Sequence, residues 1–484
     1  MHGQRCPCHK VDAQMRMTLD NDGIKVLDQK DIKALIDAAF KILERTGVVI
    51  ENNEILEGLA DYGGKASRDE QKIRFSKSFM EEYVAGLPRK KWEARPIKFS
   101  ATVEIYHGYY LDPADDEYKD WTEERFFDYV KIAKNLKNID SVYMLGCPFK
   151  EDVTKLQPLY EKLYCWKWGL EGGEGIWETD LCPRIYDMWQ VYAGERGKDI
   201  KELYNGKIYI VSPLKLAREE AQQFMFFHKK GLYTDVGSMG SLGGTDPVTL
   251  AGGMAQQLAE GLFCSIMSSA FGGGKRFGAF NVLTVMDMLT GATQFGRPER
   301  NALNVAGSQI AKYLGVGFFG HSGLSDAKMP GNEAAFQKIS SVIFTAIACG
   351  EAKIVAGLLG IDQVYSPVQL ILEDEMLDAL KWSCKGFEVN EETLALDVID
   401  SVGKERNFLS TEHTLANFKN SLWQPGVFSR EMFGKWKDGG MKTDITRAKE
   451  RFFSILQNGN PLEPQISEAT EKKLMKIINK GTLT

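Results

Sequence analysis

The stretch at residues 315–338, GVGFFGHSGLSDAKMPGNEAAFQK, contains an apolar run of strand length, a polar loop and the start of a helix-like segment. If the run VGFFGH is a strand, the alternation of side chains places Phe319 and His321 on one face and Phe318 on the other. The loop HSGLSDAKMPG then follows the carboxyl end of that strand. A strand, a loop and a helix in this order form the unit from which parallel α/β sheets are built.

The same order of strand and helix recurs through the middle of the chain. Short apolar runs alternate with longer helical patterns such as DPVTLAGGMAQQLAEGLFCSIM. The predicted strands are SVYML, YCWKW, KIYIV, YTDVG, RFGAFNV, VGFFGH and KIVAGLL. This number of units in about two hundred residues favours an α/β fold with a TIM-type (β/α)8 barrel over an open sheet. The eighth strand is not located.

The chain divides into four parts by pattern. Residues 1–20 are predicted to be a flexible N-terminus and residues 21–140 a helical N-terminal extension, in which DIKALIDAAFKIL has the apolar spacing of an amphipathic helix. Residues 141–360 form the predicted barrel core. Residues 361–484 form a C-terminal helical segment that packs on the barrel, with an aromatic-rich irregular stretch that is expected to wrap its surface.

Composition and charge exclude several classes of function. The chain has 484 residues, 43% of them hydrophobic and 26% charged, with a formal net charge of −6, so neither disorder nor a nucleic-acid partner is indicated. No apolar run has the length of a signal peptide or of a membrane span, which predicts a cytoplasmic protein with reduced cysteines. Cys6, Cys8 and His9 lie together near the start, but no fourth ligand is evident and no metal is predicted.

The common catalytic motifs are missing. The sequence contains no H-E-x-x-H, no G-x-x-x-x-G-K-[ST], no G-x-S-x-G and no C-x-x-C. The glycine-rich run GGGKRFGAF lies before a predicted strand rather than before a helix, which argues against a phosphate cradle. No common hydrolytic apparatus is therefore predicted.

Aromatic and acidic residues occur together in the stretch LYCWKWGLEGGEGIWETD. Trp166 and Trp168 lie on one face of the predicted strand YCWKW, a glycine-rich loop then carries Glu171 and Glu174, and Trp177 follows. Tryptophans at alternate positions are, taken alone, more typical of packing than of a ligand site. Aromatic rings around carboxylates also suit a compact organic cation, because a ring face attracts a quaternary ammonium.

Two polar residues of the opening stretch each have a structural and a functional interpretation. A lone histidine after an apolar strand, as His321 is, is more often a hydrogen-bonded structural group than a catalyst. Asp326 could cap the helix that follows it or pair with Lys328. Both residues would nevertheless lie at the mouth of a barrel, where such enzymes build their sites.

Three segments carry a resemblance to a known family. They are AFKILERTGVVIENNEILEGLADYGGKA near the start, HSGLSDAKMPGNEAAFQ two-thirds along, and NFLSTEHTLANFKNSLWQPGVFSREMFGKWKDGG with RAKE near the end. Together they resemble the trimethylamine methyltransferase family over nearly the whole chain. Family members that act on trimethylamine carry a pyrrolysine just after the SDAK loop, whereas residues 332–336 here are ordinary. The resemblance therefore implies the non-pyrrolysine branch, which demethylates quaternary amines such as glycine betaine.

The resemblance implies a reaction, a partner and an assembly. The expected enzyme moves a methyl group from a small quaternary amine, with glycine betaine the first choice, to the Co(I) corrinoid (cobalamin) of a separate cognate corrinoid protein. It binds no cofactor tightly itself and forms a homo-oligomer. Two alternatives remain, namely proline betaine, carnitine or a related betaine as the donor, and a non-enzymatic quaternary-amine binding protein on the same fold.

The site prediction combines the family pattern with strand alternation. The predicted catalytic residues are His321 and Asp326, at the family loop. The predicted substrate-binding residues are Trp166, Trp168, Glu171, Glu174, Trp177, Phe319 and His321. The substrate carboxylate could be bound by His321, by a backbone amide of a glycine-rich loop, or by an arginine such as Arg297.

Overall fold

The computed structural model describes residues 18–20, 23–93, 95–176, 178–278, 282–403 and 407–480. Trp177 and the Cys6, Cys8 and His9 group lie outside these residues. The strands in chain order are β1 Thr18–Asp20, β2 Gly23–Lys25, β3 Val48–Ile50, β4 Lys65–Ser67, β5 Lys72–Arg74, β6 Lys98–Val103, β7 Tyr109–Leu111, β8 Tyr118–Asp120, β9 Ser141–Met144, β10 Glu171–Gly172, β11 Lys207–Tyr209, β12 Lys215–Leu216, β13 Asp235–Gly237, β14 Met239–Leu242, β15 Val282–Met286, β16 Thr293–Gln294, β17 Glu351–Ala356, β18 Leu358–Leu359 and β19 Val364–Tyr365.

Helices connect and surround these strands. In chain order they are α1 Gln29–Lys41, α2 Asn53–Asp61, α3 Lys77–Ala85, α4 Glu123–Lys134, α5 Gln157–Trp168, α6 Cys182–Arg196, α7 Ile200–Leu203, α8 Arg218–Lys229, α9 Leu250–Ala270, α10 Pro298–Leu314, α11 Asn332–Cys349, α12 Pro367–Ser383, α13 Glu391–Leu394, α14 Leu396–Val402, α15 Glu412–Ser421, α16 Phe433–Asp438, α17 Asp444–Asn458 and α18 Glu468–Ile478. None of these helices is both long and apolar enough to cross a bilayer.

Parallel strand pairs dominate the centre of this mixed α/β fold. One sheet has the order β10-β9-β6-β17, and all three of its pairs are parallel. The pairs β11–β13 and β14–β15 are also parallel. Isolated parallel bridges join Gly278 to Gly317 and His321 to Lys353, and the Lys207 N–H donates to the Glu174 carbonyl at 3.4 Å.

The sequence prediction missed β6. Its run KFSATV was assigned to the N-terminal helical extension, yet in the structure it pairs along its whole length with β17. The parallel sheet therefore begins before residue 141, where the predicted core began. A single strand preceded by a long irregular segment shows no repeating strand-helix pattern, which is why it was not recognised.

Four of the predicted strands are confirmed as strands, namely SVYML, KIYIV, YTDVG and KIVAGLL. The prediction of YCWKW as a strand is wrong, because it forms the end of α5, which has Pro158 in its first turn and ends at the left-handed Gly169. VGFFGH forms only isolated bridges rather than a regular strand. In RFGAFNV the strand β15 begins only at Val282, and residues 279–281 lie outside the described part.

Helix α1 begins where the periodicity predicts it. Asp28 caps its N-terminus by accepting a hydrogen bond from the Asp31 N–H, and Ile32, Leu35 and Ile36 are buried. Helix α4 is capped in the same way by Thr122, whose side chain accepts a hydrogen bond from the Arg125 N–H. These amphipathic helices pack with one apolar face on the core.

The C-terminal part divides into two regions of different burial. Helices α17 and α18 pack on the body through buried residues that include Phe452, Ile455 and Leu474. In contrast, α13, α14, α15 and α16 contain no buried residue among the described ones. The aromatic-rich stretch therefore contacts the body through only part of its length, where Val427 is buried and its N–H donates to Glu375 of α12 at 2.9 Å.

Candidate functional site

The parallel strands separate a buried face from a partly exposed polar face. Along β9, Val142 and Met144 are buried whereas Ser141 and Tyr143 are partly exposed, and β17 repeats this alternation with Lys353 on the partly exposed side. The Lys353 Nζ lies 5.2 Å from the centroid of the Tyr143 ring. The polar faces of the two strands thus point toward a common space. We call the polar groups that interact around this space the central cluster, which comprises Glu104, Tyr106, Tyr143, Arg300, His321, Lys353 and Asp362.

Glu104 follows the end of β6 and links several of these groups. Its Oε1 accepts a hydrogen bond from the Thr102 hydroxyl at 3.1 Å, and its Oε2 accepts one from the Tyr106 hydroxyl at 2.9 Å. The Lys353 Nζ lies 3.9 Å from Oε1. Burial and the nearby Glu104 carboxylate both raise the pKa of Tyr106 well above its usual value, so this tyrosine stays neutral.

The structure places Glu171 and Glu174 near Tyr143, a residue that the sequence analysis did not single out. Glu171 is the register partner of Tyr143 on β9. Burial first, and then the Glu171 and Glu174 carboxylates, raise the pKa of Tyr143 to about 12. Two exposed or partly exposed acidic side chains therefore lie beside one aromatic ring.

The loop that carries Glu174 is fixed from behind by two fully buried side chains of α5. Glu161 accepts a hydrogen bond from the Gly173 N–H at 3.0 Å, and Lys162 donates to the Gly175 carbonyl at 2.6 Å. Burial, ahead of other causes, raises the pKa of Glu161 to about 7 and lowers the pKa of Lys162. Glu161 and Lys162 thus provide hydrogen-bond partners for backbone groups of the loop that would otherwise have none.

The structure does not bring Trp166 and Trp168 into this site. Trp166 is 5% exposed and stacks on Tyr192 of α6, with ring centroids 4.3 Å apart. Trp168 makes an edge contact with Phe127 of α4 at 5.2 Å. Because YCWKW is helical, the two tryptophans contact neighbouring helices, and the strand-face argument for them as cage walls is lost.

Phe319 and His321 lie on the same side of their segment, as the alternation predicts. Their rings are near-parallel, with centroids 6.3 Å apart, and Phe319 is 49% exposed. Phe319, Glu351 and Lys353 line a cleft of about 800 Å³ near the amino ends of β6 and β17. The central cluster lies toward the carboxyl end of β6, so Lys353 borders both spaces.

His321 is held in one protonation state by Arg300. The Arg300 Nη2 lies 3.2 Å from the His321 Nδ1 and also donates to the His321 carbonyl at 3.0 Å. Since a guanidinium only donates, Nδ1 must accept and the ring proton lies on Nε2. Burial first, and then Arg300 and Lys353, lower the pKa of His321 well below its usual value. His321 is therefore a neutral imidazole whose Nε2–H is available as a donor.

Asp326 positions a loop rather than capping a helix. Its two carboxylate oxygens accept from the Phe295 and Gly296 N–H groups at 2.6 and 2.9 Å. Its own N–H donates to the Gln337 side chain at 2.8 Å. The Lys328 ammonium donates to the Asp326 backbone carbonyl, not to the carboxylate, and α11 has Gly331 at its N-cap. Both structural interpretations of Asp326 are therefore wrong.

Arg297 is paired within its own loop. Its guanidinium forms an ion pair with Asp287, which makes it a weak candidate for a substrate carboxylate. Arg300 lies in the first turn of α10, directly after this loop, and the sequence analysis did not single it out. Within the described part of the chain, no three His, Cys, Asp or Glu side chains are arranged to hold a metal ion.

Asp362 is a site residue that the sequence analysis missed. It lies between β18 and β19. The charges of Glu104, Arg300 and Asp326 act on its carboxyl group. The signal available in the sequence was GLLGID, an acidic residue two positions after a glycine at the end of the strand prediction KIVAGLL. That pattern alone does not distinguish a site residue from an ordinary turn.

The fold and the central cluster define a class, an α/β enzyme with charged and aromatic groups gathered around parallel strands. The family model for trimethylamine methyltransferase (MTTB) matches residues 4–482, and the chain belongs to this family. It is 25% identical to the trimethylamine methyltransferase MttB of Desulfitobacterium hafniense, over 91% of this chain and 90% of that protein. It is 24% identical to the glycine betaine methyltransferase of Desulfitobacterium hafniense strain Y51, over 91% of this chain and 94% of that protein.

A solved structure gives a further comparison. The monomethylamine methyltransferase MtmB of Methanosarcina barkeri aligns over 95% of this chain and 90% of its own, with 11% identity and a TM-score of 0.44. The family and the named relatives together identify the chain as a methyltransferase.

Proposed function

We propose that this methyltransferase moves a methyl group from a small quaternary amine, with glycine betaine the first choice, to the Co(I) corrinoid of a partner protein. Family membership supports methyl transfer. The observation that carries the donor class is the gathering of Glu171 and Glu174 beside the Tyr143 ring, because carboxylates and a ring face attract a cation that has no N–H to donate. The ordinary residues at 332–336 also favour the branch without pyrrolysine. Proline betaine or carnitine is the alternative donor.

We also propose that the parallel segments form a TIM-type (β/α)8 barrel. Eight segments contribute, namely β6, β9, β10, β11, β13 with β14, Gly278 with β15, residues 316–321, and β17. The parallel pairs, the two isolated bridges and the hydrogen bond between β11 and the loop after β10 support neighbouring positions for most of them. The central cluster would then occupy the inside of the barrel toward its carboxyl end.

In the proposed reaction the nucleophile is the partner's cobalt. A bond forms between Co(I) and one N-methyl carbon, the C–N bond breaks, and its electron pair stays on nitrogen as a neutral tertiary amine. The cobalt is oxidised by two electrons to Co(III), and no proton is required because a quaternary ammonium already leaves as a neutral amine. This chain contributes binding, orientation and exclusion of water.

His321 is assigned to the carboxylate of a betaine. A neutral imidazole with its proton on Nε2 can donate to a carboxylate without placing a positive charge beside the ammonium. Phe319 stacks near His321 and supplies an apolar wall. Asp326 acts as a positioning residue, since its carboxylate fixes the loop that precedes Arg300.

We further propose a homo-oligomer in which exposed side chains of residues 386–403 and 407–441 contact a second copy. The exposed apolar side chains in this stretch support the proposal, and they include Phe387, Leu396, Leu409, Leu415, Met432 and Phe433. On the body, α11 presents Phe336, Ile343 and Ile347 along one exposed helical stripe, which provides a complementary apolar surface. No cofactor is proposed to bind tightly to the chain itself.

The direct test mixes the protein with a Co(I)-loaded corrinoid protein and a panel of methylated amines. The cobalt absorption spectrum then reports methylation. We expect methylation with glycine betaine and none with trimethylamine. Transfer from trimethylamine and from no quaternary amine would contradict the proposal, whereas transfer from carnitine or proline betaine alone would select the alternative donor.

A further inference from the structure

Asp362 lies in a turn whose backbone is left-handed over three successive residues. Gly360, Ile361 and Asp362 have φ angles of 59°, 60° and 65°. For residues other than glycine this conformation costs on the order of 1–3 kcal/mol each, and it persists only where the surroundings impose it. Strain of this kind clusters at ligand sites, where it places a side chain that an ordinary turn would direct elsewhere.

The surroundings that impose this turn belong to the family loop. The Gly360 N–H donates to the Ala327 carbonyl at 2.7 Å, and the Ile361 N–H donates to the Ser325 carbonyl at 3.3 Å. On the other side, the buried Glu373 accepts from the Gly357 N–H at 2.7 Å. The position of the Asp362 carboxylate is therefore set by the SDAK loop and by the end of β17.

The Asp362 Oδ1 has no hydrogen-bond partner among the described residues. This oxygen is buried, and no lysine or arginine nitrogen of these residues lies within 4 Å of either carboxylate oxygen. A buried acceptor without a protein donor is costly, so this carboxylate is suited to interact with a bound cation.

The charged groups that face Asp362 come from every neighbouring element. They are Glu104 after β6, Arg300 of α10, Asp326 of the family loop and Lys338 of α11, with the Tyr106 hydroxyl also nearby. Lys338 is already paired with Glu373 at 2.7 Å. Burial first, and then Glu104, raise the pKa of Asp362 to about 7.

We propose that Asp362 is the counter-ion of the ammonium group of the substrate. The assignment rests on the proposed function and adds a buried carboxylate to the same site, in addition to Glu171 and Glu174 beside Tyr143. A quaternary ammonium has methyl groups where other cations have N–H donors, so the anion beside it needs charge and proximity but no hydrogen bond. A carboxylate whose buried oxygen finds no donor among the described residues fits this requirement, whereas Glu104 and Asp326 are already occupied by donors.

The inference predicts how substrate affinity depends on pH. Only the ionised carboxylate attracts the cation. Because the pKa of Asp362 without ligand is about 7, affinity should be present above pH 7 and lost as the pH falls below it. Competition between one proton and one cation weakens binding about tenfold for each pH unit below that pKa.

The test measures binding of glycine betaine and of tetramethylammonium to the full-length protein by calorimetry between pH 6 and 8.5, without any corrinoid protein. We expect binding of both probes to weaken below pH 7, and Asp362→Asn to bind both at least tenfold more weakly with no pH dependence in this range. Asparagine tolerates the left-handed conformation, so this variant removes charge and keeps the turn. The matched control is Asp116→Asn, since Asp116 is also left-handed but pairs with Lys449 outside the cluster.

The outcomes separate the two proposals. Wild-type affinity and pH dependence in Asp362→Asn would overturn the role of Asp362 while leaving the proposed function intact. A wild-type affinity that is flat across pH 7 would do the same, and this measurement does not depend on a variant folding. Absence of binding by any quaternary amine, together with silence in the cobalt assay, would overturn the proposed function itself.

Discussion

Arg300 controls which proton His321 carries. We expect Arg300→Met to raise the pKa of His321 toward its ordinary value, because the donor at Nδ1 and the adjacent positive charge are both removed. An NMR titration of the histidine ring signals measures this shift in folded protein. Arg297→Met is the matched control, since Arg297 pairs with Asp287 and should leave the His321 titration unchanged. An unchanged His321 titration in Arg300→Met would contradict this account of the tautomer.

The aromatic residues divide into a wall of the site and a helix interface. We expect Tyr143→Leu to raise the Michaelis constant for the amine about three- to thirtyfold, because a cation on a ring face contributes about 0.5–2 kcal/mol. Trp166→Leu should leave the Michaelis constant unchanged and lower the unfolding midpoint, since Trp166 packs on Tyr192. Steady-state kinetics and thermal unfolding measure these effects. A raised Michaelis constant in Trp166→Leu with an unchanged one in Tyr143→Leu would instead indicate that Trp166 contacts the substrate.

For single residues, the sequence predicts which loops lie near the site better than it predicts which side chains contact one another there. Glu171 and Glu174 lie near an aromatic ring, but that ring is Tyr143 of the neighbouring parallel strand and not a predicted tryptophan. The strand prediction for the tryptophans is wrong, because alternation of aromatic residues over a few positions fits both a strand and a helix end. Asp362 could not be predicted, since its exposure to the site depends on three left-handed φ angles that no local pattern specifies.

The buried pair of Lys338 and Glu373 stabilises the connection between β17 and α12. Lys338 donates to the Val355 carbonyl at 2.9 Å, and both charged groups are fully buried. We expect Lys338→Met to lower the free energy of unfolding by about 3–5 kcal/mol, because it leaves the Glu373 carboxylate buried without its partner. Urea unfolding measures the change.

The double variant Lys338→Met with Glu373→Leu provides the internal comparison. It should recover part of the lost stability, since removing both charges also removes the uncompensated one. Lys472→Met is a surface control, whose exposed pair with Glu468 is worth about 0–1 kcal/mol. A loss in Lys338→Met no larger than in this control would contradict the account of this element.

At the scale of elements the sequence predicts amphipathic helices and regular strands, and fails where regularity ends. Helices α1 and α4 follow from periodicity and from their caps Asp28 and Thr122. VGFFGH does not become a regular strand, and it contains Gly317 and Gly320, which have no side chains to pack against neighbouring strands. β6 was missed because it stands outside the recurring order of strand and helix, and its full-length partner β17 lies about 250 residues away in the chain.

The exposed apolar side chains of residues 386–403 and 407–441 allow a test of the proposed assembly of the whole molecule. We expect the full chain to sediment as a homo-oligomer, and a triple variant Leu409→Ser, Leu415→Ser and Met432→Ser to shift it toward a monomer, because these exposed side chains would be buried between copies. Leu289→Ser is the control, since Leu289 is 97% exposed but lies outside this stretch. A wild-type chain that sediments as a 54.3 kDa monomer would contradict the proposed assembly.

At the scale of the whole molecule, the parallel α/β character follows from the recurring order of strand and helix. The mixed fold confirms that part of the prediction. The position of residues 386–403 and 407–441 does not follow from sequence, because exposed apolar residues are also compatible with packing on the body of the same chain. Only the burial of these side chains in the folded chain shows whether they pack on the body or remain exposed.

We propose that one N-methyl group of a small quaternary amine is transferred to the corrinoid of a partner protein. The most direct measurement supplies glycine betaine labelled with ¹³C in its N-methyl groups, together with the enzyme and a Co(I)-loaded corrinoid protein, and follows the label by mass spectrometry. If glycine betaine is the donor, we expect labelled methyl on the corrinoid and dimethylglycine in equal amounts. Unaltered glycine betaine beside an enzyme that transfers methyl only from trimethylamine would contradict the proposal.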